Sequence, residues 1–63
     1  MKAINKTYFN LDDPSLPSTV EWDMADEDDN IVIPELVTST DLGDKSDLIN
    51  LVNKAVRDYE KSL

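Results

Sequence analysis

The residues best suited to chemistry in this chain are carboxylates, and they are concentrated in one short stretch. Nine consecutive residues contain six acidic side chains: Glu21, Asp23, Asp26, Glu27, Asp28 and Asp29. Carboxylates in such a cluster could ligate a metal ion, act as general acids and bases, or pair with the cationic groups of another protein. Each of these sites makes different demands on the surrounding sequence.

A calcium-binding loop is the first kind of site to test. An EF-hand loop places oxygen ligands at positions 1, 3, 5 and 12 and a glycine at position 6. With Asp26 at position 1, positions 6 and 12 are Ile31 and Val37, which cannot meet that pattern. The chain also has no cysteine and no histidine for a zinc site. We therefore predict no bound metal ion and no other cofactor.

Catalysis by paired carboxylates requires a desolvated cleft that separates their pKa values. A chain of 63 residues has little scope to build such a cleft, and it has no histidine or cysteine to serve as base or nucleophile. We predict that the chain is not an enzyme.

The net charge of −8 is unevenly distributed along the chain. Residues 44–63 are neutral, whereas residues 1–43 contain ten acidic residues against Lys2 and Lys6. Such a surface would repel nucleic acid and anionic lipid and would attract basic proteins. We therefore expect a basic protein surface as the partner, with no direct binding to nucleic acid or membrane. Solubility alone would permit this asymmetry without requiring it.

The acidic stretch falls on a predicted β-hairpin. Alternation of apolar and polar residues predicts short strands over about residues 5–11, 19–24 and 30–33. Residues 25–29 have a suitable length for the loop between the last two strands. Pro34 is expected to end the third strand and to begin a short helical turn through residues 35–37.

One face of the second strand is apolar and the other is acidic. Val20, Trp22 and Met24 share the first face, and Glu21 and Asp23 share the second. The apolar face is either part of the core or, through Trp22 or Met24, an anchor for a partner. Both interpretations of Trp22 are retained, and the core has the stronger claim because a single tryptophan at this spacing usually packs inward.

A C-terminal helix is predicted over about residues 45–62. Asp44 suits the N-cap, and Asp47 follows three residues later at the positive end of the helix dipole. Apolar residues recur at helical spacing and form a stripe: Ile49, Val52, Val56, Tyr59 and Leu63, flanked by Leu48 and Ala55.

Together these elements predict one small acidic α+β domain over residues 1–63. Its architecture is a small antiparallel β-meander of two or three strands with one C-terminal amphipathic helix packed on it. In the two-stranded version, residues 1–18 lie as an arm. No apolar run has the ~18–20 residues of a membrane span and no apolar signal core follows Met1, so we expect a cytoplasmic location.

The leading functional hypothesis is a small inhibitor that mimics nucleic acid. It would use Glu21, Asp23 and the four acids at 26–29 to occupy a basic, nucleic-acid-binding surface of a larger protein, and we expect it to be encoded by a phage or mobile element. The alternative is a structural or assembly protein that oligomerises, for example as a homodimer, through the stripe of its C-terminal helix.

A third hypothesis rests on a resemblance. The order of a strand, Pro34, a short helix and then the segments at 46–49 and 55–59 resembles that of ribbon-helix-helix repressors and antitoxins. That resemblance implies a DNA-reading strand, but the strand here has no basic residue, and the net charge of −8 opposes phosphate contacts.

Overall fold

The computed structural model describes residues 1–41 and 43–63, which form three antiparallel strands packed under one helix. The elements are β1 (Lys2–Phe9), β2 (Ser18–Ala25), β3 (Ile31–Thr40) and α1 (Lys45–Lys61). The strand order is β1-β2-β3, so β2 is hydrogen-bonded to a neighbour on both sides. The predicted α+β meander with a C-terminal helix is confirmed, and it has three strands rather than two.

The first two strands differ modestly from their predicted bounds. β1 begins at Lys2 rather than at residue 5, and it ends at Phe9 because Asn10 adopts a left-handed backbone conformation with φ of 62°. Leu11 therefore lies outside the strand. β2 extends one residue beyond the prediction at each end, from Ser18 to Ala25.

The third strand was predicted wrongly, because Pro34 does not end it. β3 continues to Thr40, and no helical turn forms at residues 35–37. Proline is tolerated in edge strands, where a missing N–H need not break a ladder hydrogen bond. The chain bulges here, with φ of 57° at Glu35, and then pairs Leu36 with Trp22. A continuous strand in place of the short helix also removes the element order on which the ribbon-helix-helix resemblance rests.

The core lies between the sheet and α1. One side is the apolar face of β2 and the other is three residues of α1 spaced four apart, and together they form one cluster: Val20, Trp22, Met24, Leu48, Val52 and Val56. Trp22 is 2% exposed, and its Nε1 donates a hydrogen bond to Thr38 Oγ1 on β3 at 2.9 Å. Trp22 is therefore a core residue rather than an exposed anchor.

The N-terminus of α1 is capped as predicted. Asp44 Oδ1 accepts hydrogen bonds from the N–H groups of Ser46 and Asp47, at 3.0 and 3.2 Å, and Asp47 accepts one from the Asp44 N–H at 2.9 Å. This reciprocal arrangement is a capping box. Ser18 Oγ donates to the Gly43 carbonyl at 3.0 Å and so joins the start of β2 to the chain that leads into the helix.

The stripe that α1 buries contains Val52 and Val56 as predicted, but it differs from the prediction at both ends. Leu48 is fully buried, whereas Ile49 is only half-buried and Leu63 is 77% exposed beyond the end of the helix. In the part of the chain that the structure describes, no helix has the length and apolar character of a membrane span.

The core of α1 provides a direct test of this packing. We expect Leu48→Ala to lower the free energy of unfolding by about 2–5 kcal/mol, because it removes buried methyl groups and leaves a cavity. Leu51→Ala is the matched control, since Leu51 is 39% exposed on the same helix; we expect a loss below about 1 kcal/mol. Urea denaturation followed by Trp22 fluorescence measures both. Equal losses for the two variants would contradict this description of the core.

Candidate protein-binding surface

The six predicted site residues fall into two groups in the structure. Glu21 and Asp23 lie on the face of the sheet opposite α1, because their neighbours on β2 point into the core. The other four acids occupy the loop between β2 and β3: Asp26, Glu27, Asp28 and Asp29.

The Asp26 carboxylate stabilises the loop by accepting hydrogen bonds from its backbone. Its Oδ1 accepts hydrogen bonds from the N–H groups of Asp28 and Asn30, at 2.9 and 3.0 Å. The Asp26 N–H donates to the Asn30 carbonyl at 3.0 Å, and Asp29 takes a left-handed conformation with φ of 66°. The Asn30 N–H, helped by that of Asp28, lowers the pKa of Asp26. Asp29 thus occupies the position at which such a turn favours glycine, and the Asp26 carboxylate stabilises the turn through its hydrogen bonds.

Two of the remaining loop acids are paired with cationic groups of the same chain. Glu27 Oε1 lies 2.9 Å from the Met1 ammonium, and Asp29 forms an ion pair with the Lys2 ammonium. The hydrogen bond to Asp29 raises the pKa of Lys2, and the one from the ammonium of Met1 lowers the pKa of Glu27. Asp28, like Asp26, has no ion pair among the described residues.

Asp23 holds two bulges of the sheet together. Its Oδ2 accepts a hydrogen bond from Asn5 Nδ2, and its Oδ1 accepts one from the Glu35 N–H, both at 2.9 Å. Asn5 lies at the bulge of β1, with φ of 55°, and Glu35 lies at the bulge of β3. The Asn5 amide and the Glu35 N–H lower the pKa of Asp23. The carboxylate thus satisfies a backbone N–H that the irregular ladder leaves available.

The open face of the sheet also contains an acid that was not predicted as a site residue. Glu35 lies beside Glu21 and Asp23 around a shallow depression of about 400 Å³ that is also lined by Asn5, Thr7 and Val37. Glu35 was missed because it was assigned to a helical turn after Pro34. Even with Pro34 treated as an edge-strand proline, regular alternation would place Glu35 on the face of Ile33, which packs against the core, and the bulge between Ile33 and Leu36 turns it to the open face.

Among the described residues, no basic side chain lines the depression around Glu21, Asp23 and Glu35. Four of the six basic residues belong to α1: Lys45, Lys54, Arg57 and Lys61. The other two, Lys2 and Lys6, line the cleft between β1 and α1 with Asn53 and Val56. Lys45 lies 4.8 Å from the centre of the Tyr8 ring, also on the helix side of the sheet. The depression is therefore acidic, and the cationic groups lie on α1 or in the cleft beside it, with Lys2 also reaching Asp29 of the loop.

The acids do not gather into a metal site. Within residues 1–41 and 43–63, no set of three acidic side chains is arranged so that it could hold an ion. The carboxylates of Asp23 and Asp26 instead accept hydrogen bonds from backbone N–H groups, which leaves fewer of their lone pairs for an external ligand.

The hydrogen bonds to Asp23 make stability depend on pH. Its folded pKa lies below the ordinary value of 3.8, so its contribution is fully present above that value and is lost as the pH falls through the folded pKa. We expect Asp23→Asn to be less stable than the parent at pH 7, and the difference to narrow below about pH 4. Urea midpoints measured from pH 7 down to pH 2.5 test this.

Glu21→Gln is the matched control for that experiment. It removes a carboxylate from the same strand and face, but the described residues donate no hydrogen bond to Glu21. At pH 7 we expect it to lower stability less than Asp23→Asn does, because no hydrogen bond is lost. A constant difference for Asp23→Asn would contradict the role of Asp23 at the two bulges.

The chain was compared with protein-family models, curated proteins and solved structures. No family model, no curated protein and no solved structure matches it significantly.

Proposed function

We propose that this chain is a small acidic inhibitor that binds a basic, nucleic-acid-binding surface of a larger protein and excludes nucleic acid from it. The observation that carries the proposal is the separation of charge: Glu21, Asp23 and Glu35 line a depression on the open sheet face, and no cationic side chain of the described residues lines it with them. Such a face attracts the arginine and lysine groups that normally contact phosphates, and it does so without internal competition.

The acids of this surface differ in what they offer a partner. Glu21, Glu35 and Asp28 accept no hydrogen bond or ion pair from side chains of the described residues, so their carboxylates can each pair with a guanidinium. Asp23 and Asp26 are already engaged by backbone N–H groups. They position the face and the loop and add to the field of negative charge. Release of counterions from the target's basic groove would favour the complex as it favours nucleic acid.

The proposal extends to the origin and surroundings of the chain. An inhibitor of this kind needs no cofactor and no active site, and it acts by occupancy alone. Phages and mobile elements gain from blocking the nucleic-acid-binding proteins of a host, so we propose such an origin and a cytoplasmic site of action. Assembly through the stripe of α1 is the less supported alternative, since Val52 and Val56 at the centre of that stripe are buried against the chain's own sheet.

A charge-reversal experiment tests the inhibitor. The variant Glu21→Lys/Asp28→Lys reverses two carboxylates of the proposed surface, and Asp12→Lys/Asp41→Lys reverses two elsewhere. Both raise the net charge of −8 by the same four units. Each immobilised protein is incubated with an extract of the native host, and bound proteins are eluted with duplex DNA or with salt.

We expect the parent and the control variant to retain a DNA-eluted protein and to inhibit its binding to labelled nucleic acid. The surface variant should bind that protein at least about tenfold more weakly at low salt, because it loses two ion pairs and adds two repulsions. The parent's affinity should fall as salt rises. Equal retention by the two variants, or binding that salt does not weaken, would refute the proposal.

A further inference from the structure

The open face of the sheet has a regular layout in addition to its charge. The register places its side chains in rows across the three strands: Ile4 beside Asp23, then Thr7, Glu21 and Val37, and then Phe9, Thr19 and Ser39. Phe9 is 42% exposed and Val37 is 63% exposed. The face therefore presents apolar groups on its two outer strands, with carboxylates along the centre.

The dimensions of this face suit one α-helix. Neighbouring strands are about 4.8 Å apart, so three strands make a surface about 10 Å across, close to the diameter of a helix with its side chains. The opposite face shows the same fit, because α1 alone covers it with Leu48, Val52 and Val56. The sheet is thus covered by a helix on one face only, and a second helix on the open face would complete a three-layer arrangement.

The chemistry of the face specifies what that helix must carry. Apolar side chains would contact Phe9 and Val37, and arginine or lysine would reach Glu21 and Glu35. Such a helix is amphipathic and basic, a common form of recognition by helices. A second copy of this chain is a poorer match, since two molecules of net charge −8 repel each other.

We infer that the open face of the sheet, centred on the row of Thr7, Glu21 and Val37, docks a basic amphipathic helix of the target protein. This inference rests on the proposed function and adds to it the recognition element of the partner. It assigns the primary contact to the sheet face rather than to the loop at residues 26–29. The apolar contacts make recognition depend on more than charge.

A synthetic helical peptide tests this docking directly. The probe is an 18-residue peptide of alanine, leucine, lysine and arginine, with leucine and arginine alternating along one helical face. The control peptide has the same composition in an order that destroys the amphipathic face. Each is titrated into the full ¹⁵N-labelled chain while amide chemical shifts and affinity are recorded.

We expect the amphipathic peptide to bind at least about tenfold more tightly than its scrambled control and to shift the amides of Thr7, Glu21 and Val37 most. Glu21→Gln and Val37→Thr should each weaken binding several-fold. Asp58→Asn, which removes one carboxylate from α1, should leave it unchanged. All three variants are surface substitutions, and thermal unfolding confirms that each is folded.

Three results would overturn the inference: equal affinity for the two peptides, shifts confined to residues 26–29, or no effect of Val37→Thr. Sedimentation, without and with the peptide, tests whether a second copy of the chain covers the face instead. A dimer that the peptide fails to dissociate would assign the face to a second copy. If the peptide docks as described but the host extract yields no DNA-eluted protein, the proposed function fails alone. If such a protein is retained but the peptide misses the face, this inference fails alone.

Discussion

The stability of this fold depends on the apolar contact between β2 and α1. Three side chains from each element form the buried cluster: Val20, Trp22 and Met24 with Leu48, Val52 and Val56. β2 is also the strand that pairs with both others, and side chains of the outer strands, among them Tyr8 and Leu36, pack against the same cluster. A chain of this size buries only about 60% of its unfolded surface and has no disulfide to add stability. The small core therefore limits how much irregularity the surface can tolerate.

Carboxylates perform structural work at three irregular points of the fold. Asp23 accepts from the Glu35 N–H at a bulge, Asp26 accepts from two N–H groups in the hairpin loop, and Asp44 accepts from two at the start of α1. In each case an ionised acceptor satisfies backbone donors that regular secondary structure leaves unpaired. The same residue type thus both shapes this backbone and gives the surface its charge, and sequence composition alone does not separate the two uses.

The local signals of the sequence were sufficient for the fold class, the N-cap at Asp44 and the division of β2 into an apolar and an acidic face. They were insufficient for β3, because the effect of Pro34 depends on whether its strand lies at an edge, which is a property of the whole sheet. The sequence also could not predict that Asp23 bonds to Asn5 and Glu35, because these partners lie 18 residues before it and 12 residues after it in the chain. Glu35 joined the candidate surface only once β3 was seen to continue past Pro34.

The bulges of the two outer strands have a consequence for aggregation. A three-stranded sheet has two free edges, and a long regular edge is a template on which further strands add to build fibrils. Here the bulge at Asn5 interrupts β1, and Pro34 and the bulge at Glu35 interrupt β3. Each edge is divided into short runs whose hydrogen-bonding groups do not continue in a straight line. The two bulges and Pro34 thus lower the tendency of either edge to pair with a strand of another molecule.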